Sequence, residues 1–177
     1  MAKYVALLRG INLGKRQIKM DALRKAFEDW GYENASTLLA SGNVIFEASG
    51  SAAKGLAQKI ESGLKASYGF AVPVILRSGA EIDKLVRSDP FQGVKVTPKT
   101  RLFVTFLAEK PKNKPTIPYK SKAGDFIILD VVNRDVISVL TDTRTPDAMN
   151  ILRKQFGDKI TTRNWNTMLK IRDALRK

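Results

Sequence analysis

YVALLRGINLGKRQIKMDALRKAFEDWG, residues 4–31, decides the fold. It begins as an unbroken apolar run, so Lys3 to Arg9 reads as a buried strand. A polar loop follows, with Arg9, Asn12, Lys15, Arg16 and Lys19 beside Gly10 and Gly14. Asp21 then stands where a helix N-cap belongs, Leu23, Phe27 and Trp30 recur at helical spacing, and Gly31 stops the run.

Working outward, Thr37 to Ser41 and Val44 to Glu47 flank Gly42-Asn43. That dipeptide suits a two-residue type II′ hairpin, because glycine accepts positive φ at its first central position. Leu56, Ile60 and Leu64 recur every fourth residue within Ala52 to Tyr68, which predicts a helix, and Val72 to Leu76 is again a strand. The first half therefore reads βαββαβ, the ferredoxin-like order.

A short helix is expected near Ala80 to Arg87, and Leu102 to Leu107 reads as a strand. Phe126 to Val132 and Val136 to Leu140 flank a turn at Asn133-Arg134-Asp135. Thr145-Pro146 starts a helix that ends at Gly157, and a strand follows near Lys159 to Arg163. Where the first half has its first helix, this half has Lys110 to Lys122, in which Pro111, Pro115 and Pro118 forbid a continuous helix. The expectation is an α+β protein of two ferredoxin-like halves with antiparallel sheets. They span residues 1–78 and 79–177, with the helix from Trp165 onward as an addition.

Composition removes several chemistries. The chain has 177 residues and neither cysteine nor histidine. Disulfides, thiolate metal sites, cysteine nucleophiles and serine-histidine-aspartate hydrolysis are excluded. No acidic cluster suggests a magnesium site, and no cofactor is expected. Apolar runs are too short to cross a bilayer, and no secretion signal is apparent, so the expected location is cytoplasmic, away from membranes.

The net charge is +14, which attracts polyanions, nucleic acid foremost. Between Gly93 and Lys122 eight cations face Glu109 alone, a net of +7, so half the charge sits in one short proline-rich stretch. Lys110, Lys112, Lys114, Lys120 and Lys122 are the candidate nucleic-acid contacts; the competing reading is a solvated loop. The strands "NVIFEAS" and "YVALLRG" lack the aromatic signatures of RNA-recognition sheets, so such binding would be electrostatic.

Topology gives a second candidate. A right-handed connection makes the first two strands run the same way, which brings Arg9–Asn12 and Ser41–Asn43 to one edge of the sheet. Arg9, Gly10, Asn12, Lys15, Ser41, Gly42 and Asn43 together offer a cationic fork, amides, a hydroxyl and backbone N–H groups for a phosphorylated or carboxylated ligand. The same residues also suit plain turns, with Asn12 or Ser41 bonded to local backbone. A P-loop is ruled out, because only three residues separate Gly10 from Gly14 and Arg16 follows Lys15. Near the end of the chain, Thr162, Arg163 and Asn164 are a third polar group; Asn164 is a natural helix cap, and Trp165 is either core or a stacking platform.

At these three places the sequence resembles the bacterial domain-of-unknown-function family number 1697. Its pattern is Arg-Gly-Ile-Asn, Ser-Gly-Asn and Thr-Thr-Arg-Asn, here Arg9–Asn12, Ser41–Asn43 and Thr161–Asn164. The family's first loop usually carries another glycine where this chain has Lys15. The resemblance implies paired ferredoxin-like parts and no particular activity. Three functions are therefore carried forward: a polyanion-binding module, a small-anion site that is either binding or catalytic, and an interaction protein whose polar motifs join its halves.

Overall fold

In a computed structural model the described residues are 1–50, 53–142 and 147–177. Thr145-Pro146, expected to start a helix, lies outside them. The fold is α+β with two antiparallel sheets, and the chain divides into two compact units, Met1–Leu85 with Leu169–Lys177, and Val86–Met168.

In the first unit the elements run β1 (Ala2–Leu8), α1 (Met20–Asp29), β2 (Glu33–Leu38), β3 (Asn43–Ala48), α2 (Ala53–Tyr68), β4 (Val74–Ser78) and, up to Leu85, α3 (Gly79–Arg87). The sheet order β2-β3-β1-β4 is that of a ferredoxin-like unit. Ala6, Leu8, Val44, Phe46 and Leu76 on one sheet face share a core with Leu23 and Phe27 of α1 and Leu56, Ile60 and Leu64 of α2. The fourfold spacing read from the sequence is thus the buried stripe of α2.

Local chemistry sets the ends of α1. Lys19, not Asp21, occupies the N-cap position and makes no side-chain cap; Asp21 lies in the first turn, where its charge complements the helix dipole. At the other end Gly31 has φ +87°, its N–H donates to Glu28 O, and Tyr32 N–H donates to Phe27 O. That is a Schellman stop, and the Tyr32 and Phe27 rings supply its apolar contact at 5.7 Å. Phe27 also meets Trp30 at 5.3 Å and Phe46 at 5.2 Å.

Leu38 pairs with Asn43, so four residues, 39–42, join β2 to β3. The expected two-residue turn at Gly42-Asn43 is replaced because Asn43 is already the first residue of β3, paired also to Leu7.

The second unit contains β5 (Arg101–Leu107), β6 (Tyr119–Lys120), β7 (Phe126–Val132), β8 (Asp135–Leu140), α4 (Ala148–Phe156) and β9 (Ile160–Asn164). Its sheet order is β6-β7-β8-β5-β9, and Phe126, Ile128, Val136, Leu140 and Ile160 share a core with Leu152 of α4. The last helix, α5 (Trp165–Leu175), has its first residues here and its remainder, from Leu169, in the first unit.

At the strand that ends each sheet the second unit repeats the first. Val5 pairs with Arg77 on β4, and Val104 pairs with Arg163 on β9. The next residue caps a helix each time. Ser78 and Glu81 form a capping box for α3, and Asn164 Oδ1 accepts the Thr167 N–H of α5 at 2.9 Å. The added C-terminal helix is present as expected, and it starts after its strand as α3 does after β4. Both arginines are buried, 1% and 7% exposed.

Candidate functional site

The β1–α1 loop and the β2–β3 turn are fastened together. Leu8 N–H donates to Gly42 O at 2.9 Å, and Asn12 Nδ2 donates to Ala40 O at 2.7 Å. Asn12 Oδ1 accepts Ile18 N–H at 2.9 Å, which ties down the far end of the same loop. Asn12 holds φ +56°, a left-handed conformation that asparagine tolerates better than most residues. Gly42 is required twice over: φ is +85°, and an added Cβ would lie 2.6 Å from Ile11 Cδ1 and 2.9 Å from Leu8 Cβ.

Arg9–Asn12 and Ser41–Asn43 are thus brought to one edge, as topology requires. Their amides, however, are committed to the protein's own backbone. Asn43 is fully buried, and its Nδ2 donates to Leu38 O at 2.7 Å and to Ser41 Oγ at 3.2 Å. Arg9 is half-buried, and its main-chain N–H donates to Pro73 O at 3.0 Å. Gly10 takes φ +69°, Lys15 is exposed, and the exposed Arg16 guanidinium lies over the Phe70 ring, 5.4 Å from its centroid.

Thr162, Arg163 and Asn164 belong to the second unit, where each has a structural partner. Thr162 Oγ1 meets Thr105 Oγ1 at 2.8 Å. Arg163 Nη1 donates to Thr161 Oγ1 at 2.9 Å and to Thr162 O at 3.0 Å. Burial pushes its guanidinium down to about 10. Trp165 packs edge-on against Phe91 at 5.1 Å, which favours its core reading.

The basic stretch is different in kind. Lys95, Lys99, Arg101, Lys110, Lys112, Lys114, Lys120 and Lys122 are all exposed, and the backbone is held at the far end of the stretch, around Tyr119–Ser121. Tyr119 and Lys120 form β6 against Ile128 and Ile127 of β7. Ser121 Oγ donates to Asp125 Oδ1 at 2.9 Å and accepts Phe126 N–H at 3.1 Å, and Lys114 Nζ donates to Val131 O at 3.1 Å. Charge is presented from an anchored strip, in which Tyr119 turns toward the core.

Sequence reasoning missed a further group in the first unit. Lys3, Asp83, Arg172 and Arg176 line a concavity of about 390 Å³. Its polar groups are partnered: Lys3 Nζ donates to Leu175 O at 3.3 Å, Arg176 meets Asp83 at 2.6 Å, and Arg172 meets Asp173 at 2.8 Å. The residues are too far apart in the chain for spacing to reveal them. Among the described residues no three acidic side chains gather in a metal-holding set, and no helix is long and apolar enough to cross a membrane.

The family model described as "Protein of unknown function (DUF1697)" matches residues 1–136, which include Arg9–Asn12 and Ser41–Asn43. No curated protein matches the chain. Among solved structures, the chain is similar to the conserved bacterial protein SP0830 from Streptococcus pneumoniae. The two are 23% identical over 100% of this chain and 99% of that one, with a TM-score of 0.76. At that identity the likeness is one of fold.

Proposed function

We propose that this chain, which belongs to the DUF1697 family, binds a polyanion, nucleic acid by class, through the basic strip of its second unit. One observation carries the reading: eight exposed cations against Glu109 alone between Gly93 and Lys122, on backbone anchored by β6 and by Ser121. Seven of the eight are ammonium groups, point charges without the planar fork that reads base edges, and the Arg101 fork is committed to Pro98 O and Thr100 O, so binding follows phosphate spacing and not sequence. Each neutralised phosphate releases a condensed counterion, which makes affinity steeply salt-dependent. A cytoplasmic location, where nucleic acid is abundant, suits a chain with no cysteine.

A small-anion site at Arg9 and Ser41 is the weaker reading, because the Asn12 and Asn43 amides are committed to Ala40 and Leu38. The test is retention of mixed-sequence single-stranded RNA and DNA at several salt concentrations. Binding with a log-log slope of about −0.7 per contacted phosphate is expected. Replacing Lys110, Lys112, Lys114, Lys120 and Lys122 by glutamine should flatten the slope; absence of binding at low salt overturns the proposal.

A further inference from the structure

We propose that the fastened loop edge of the first unit is a docking surface for an acidic, leucine-bearing peptide segment of a protein partner. With the Asn12 and Asn43 amides committed to Ala40 O and Leu38 O, the two loops present Leu13, 69% exposed, and Leu39, 43% exposed. The two leucines are chain neighbours of Asn12 and Ala40, which share a hydrogen bond. Lys15 and Arg16 are exposed in the same loop as Leu13, and no acidic residue occurs in 9–20 or 38–42.

Leu39 is the informative residue. It holds φ +62°, the left-handed region where glycine or asparagine would sit with less strain. It is also exposed, so core packing does not account for a leucine there. Backbone strain kept at an exposed apolar side chain is the pattern of a binding contact. The clamp between the loops means that little further ordering is needed on association.

Charge complementarity selects the occupant. Leucines flanked by cations and free of acids match apolar side chains flanked by carboxylates. Nucleic acid fits less well, because single strands are held by stacking on aromatic rings and these loops expose none.

The experiment uses the whole protein and three fluorescein-labelled probes read by anisotropy: a peptide of alternating Glu and Leu, one of alternating Glu and Ser, and a mixed-sequence single-stranded DNA. The Glu-Leu peptide should bind about tenfold tighter than the Glu-Ser peptide. That preference should vanish in Leu13→Ser/Leu39→Ser and persist in the five-lysine variant, which separates this proposal from the polyanion reading. Equal affinity for the two peptides, or a preference that survives the double substitution, overturns it. So does an equal loss of DNA affinity in the same variant, which would assign the edge to nucleic acid. Leu39→Asn supplies a folding-independent check. It should weaken Glu-Leu binding while raising the thermal midpoint by about 2 °C through relief of the left-handed strain. A lowered midpoint would make Leu39 a packing residue.

Discussion

Asn12 donates its side-chain amide to Ala40 O across 2.7 Å while its Oδ1 accepts the Ile18 N–H, so one residue fastens two loops. Asn12→Ala removes both bonds and places a Cβ residue less suited to φ +56° there. A loss of about 2–3 kcal/mol is expected. Asn12→Gly keeps the conformation but not the bonds, and should fall between the two. Denaturant midpoints at unchanged m-value measure both.

Gly63 sits inside α2, where alanine would ordinarily favour the helix by about 1 kcal/mol. Here an added Cβ would approach Trp30 Cζ2 to 2.6 Å. Gly63→Ala should therefore destabilise by about 1–3 kcal/mol, since the ring must move out of its contact with Phe27. Gly63→Ala in a Trp30→Leu background should cost less. Equal losses in the two backgrounds would refute the steric account.

Thr105 and Thr162 bond across β5 and β9 at 2.8 Å, and Thr105 is fully buried. Thr162→Val strands the Thr105 hydroxyl and should cost about 1–3 kcal/mol. Adding Thr105→Val should recover part of that loss, because both partners are then apolar. Thermal unfolding of the four proteins of the cycle reads the coupling.

Arg163 gives a pH signature. Burial lowers its folded-state pKa to about 10, so between that value and the ordinary guanidinium range the unfolded chain binds more protons than the folded one. Stability attributable to Arg163 therefore rises with pH in that window, by at most about 1.4 kcal/mol per pH unit. Tyr32 and Tyr68, whose pKa values burial raises, push the other way in the same alkaline range. Comparing wild type with Arg163→Gln cancels them. The difference should be flat from neutrality to about pH 9 and turn toward the wild type above about pH 10. A difference that stays flat above pH 10 would contradict the burial argument.

Element order was legible because it rests on periodicity, as in Leu56, Ile60 and Leu64, which local sequence displays. Features set by distant partners were not. Gly42-Asn43 has the chemistry of a two-residue turn, but Asn43 is drawn into β3 by Leu7 and Leu38, which a turn rule does not see. Arg77 lies just past the strand read as Val72 to Leu76; its burial depends on where the sheet face lies. The shared start of α3 and α5 rests on an arginine followed by a capping serine or asparagine, too short a repeat to notice before the registers align them. The polar motifs drew notice for their chemistry, yet for Asn12, Asn43 and Arg163 that chemistry is spent on the fold.

β6 has one more consequence. A five-stranded sheet leaves its outer strand open to pairing with another chain, the usual start of edge-to-edge aggregation. Here that strand is only Tyr119–Lys120, and Pro115 and Pro118, just before it, have no N–H to offer an incoming strand. Lys120 and Lys122 add a charge that a second copy would have to bury against its own. The lysines proposed to meet a polyanion thus also have the chemistry of gatekeepers against pairing along this edge.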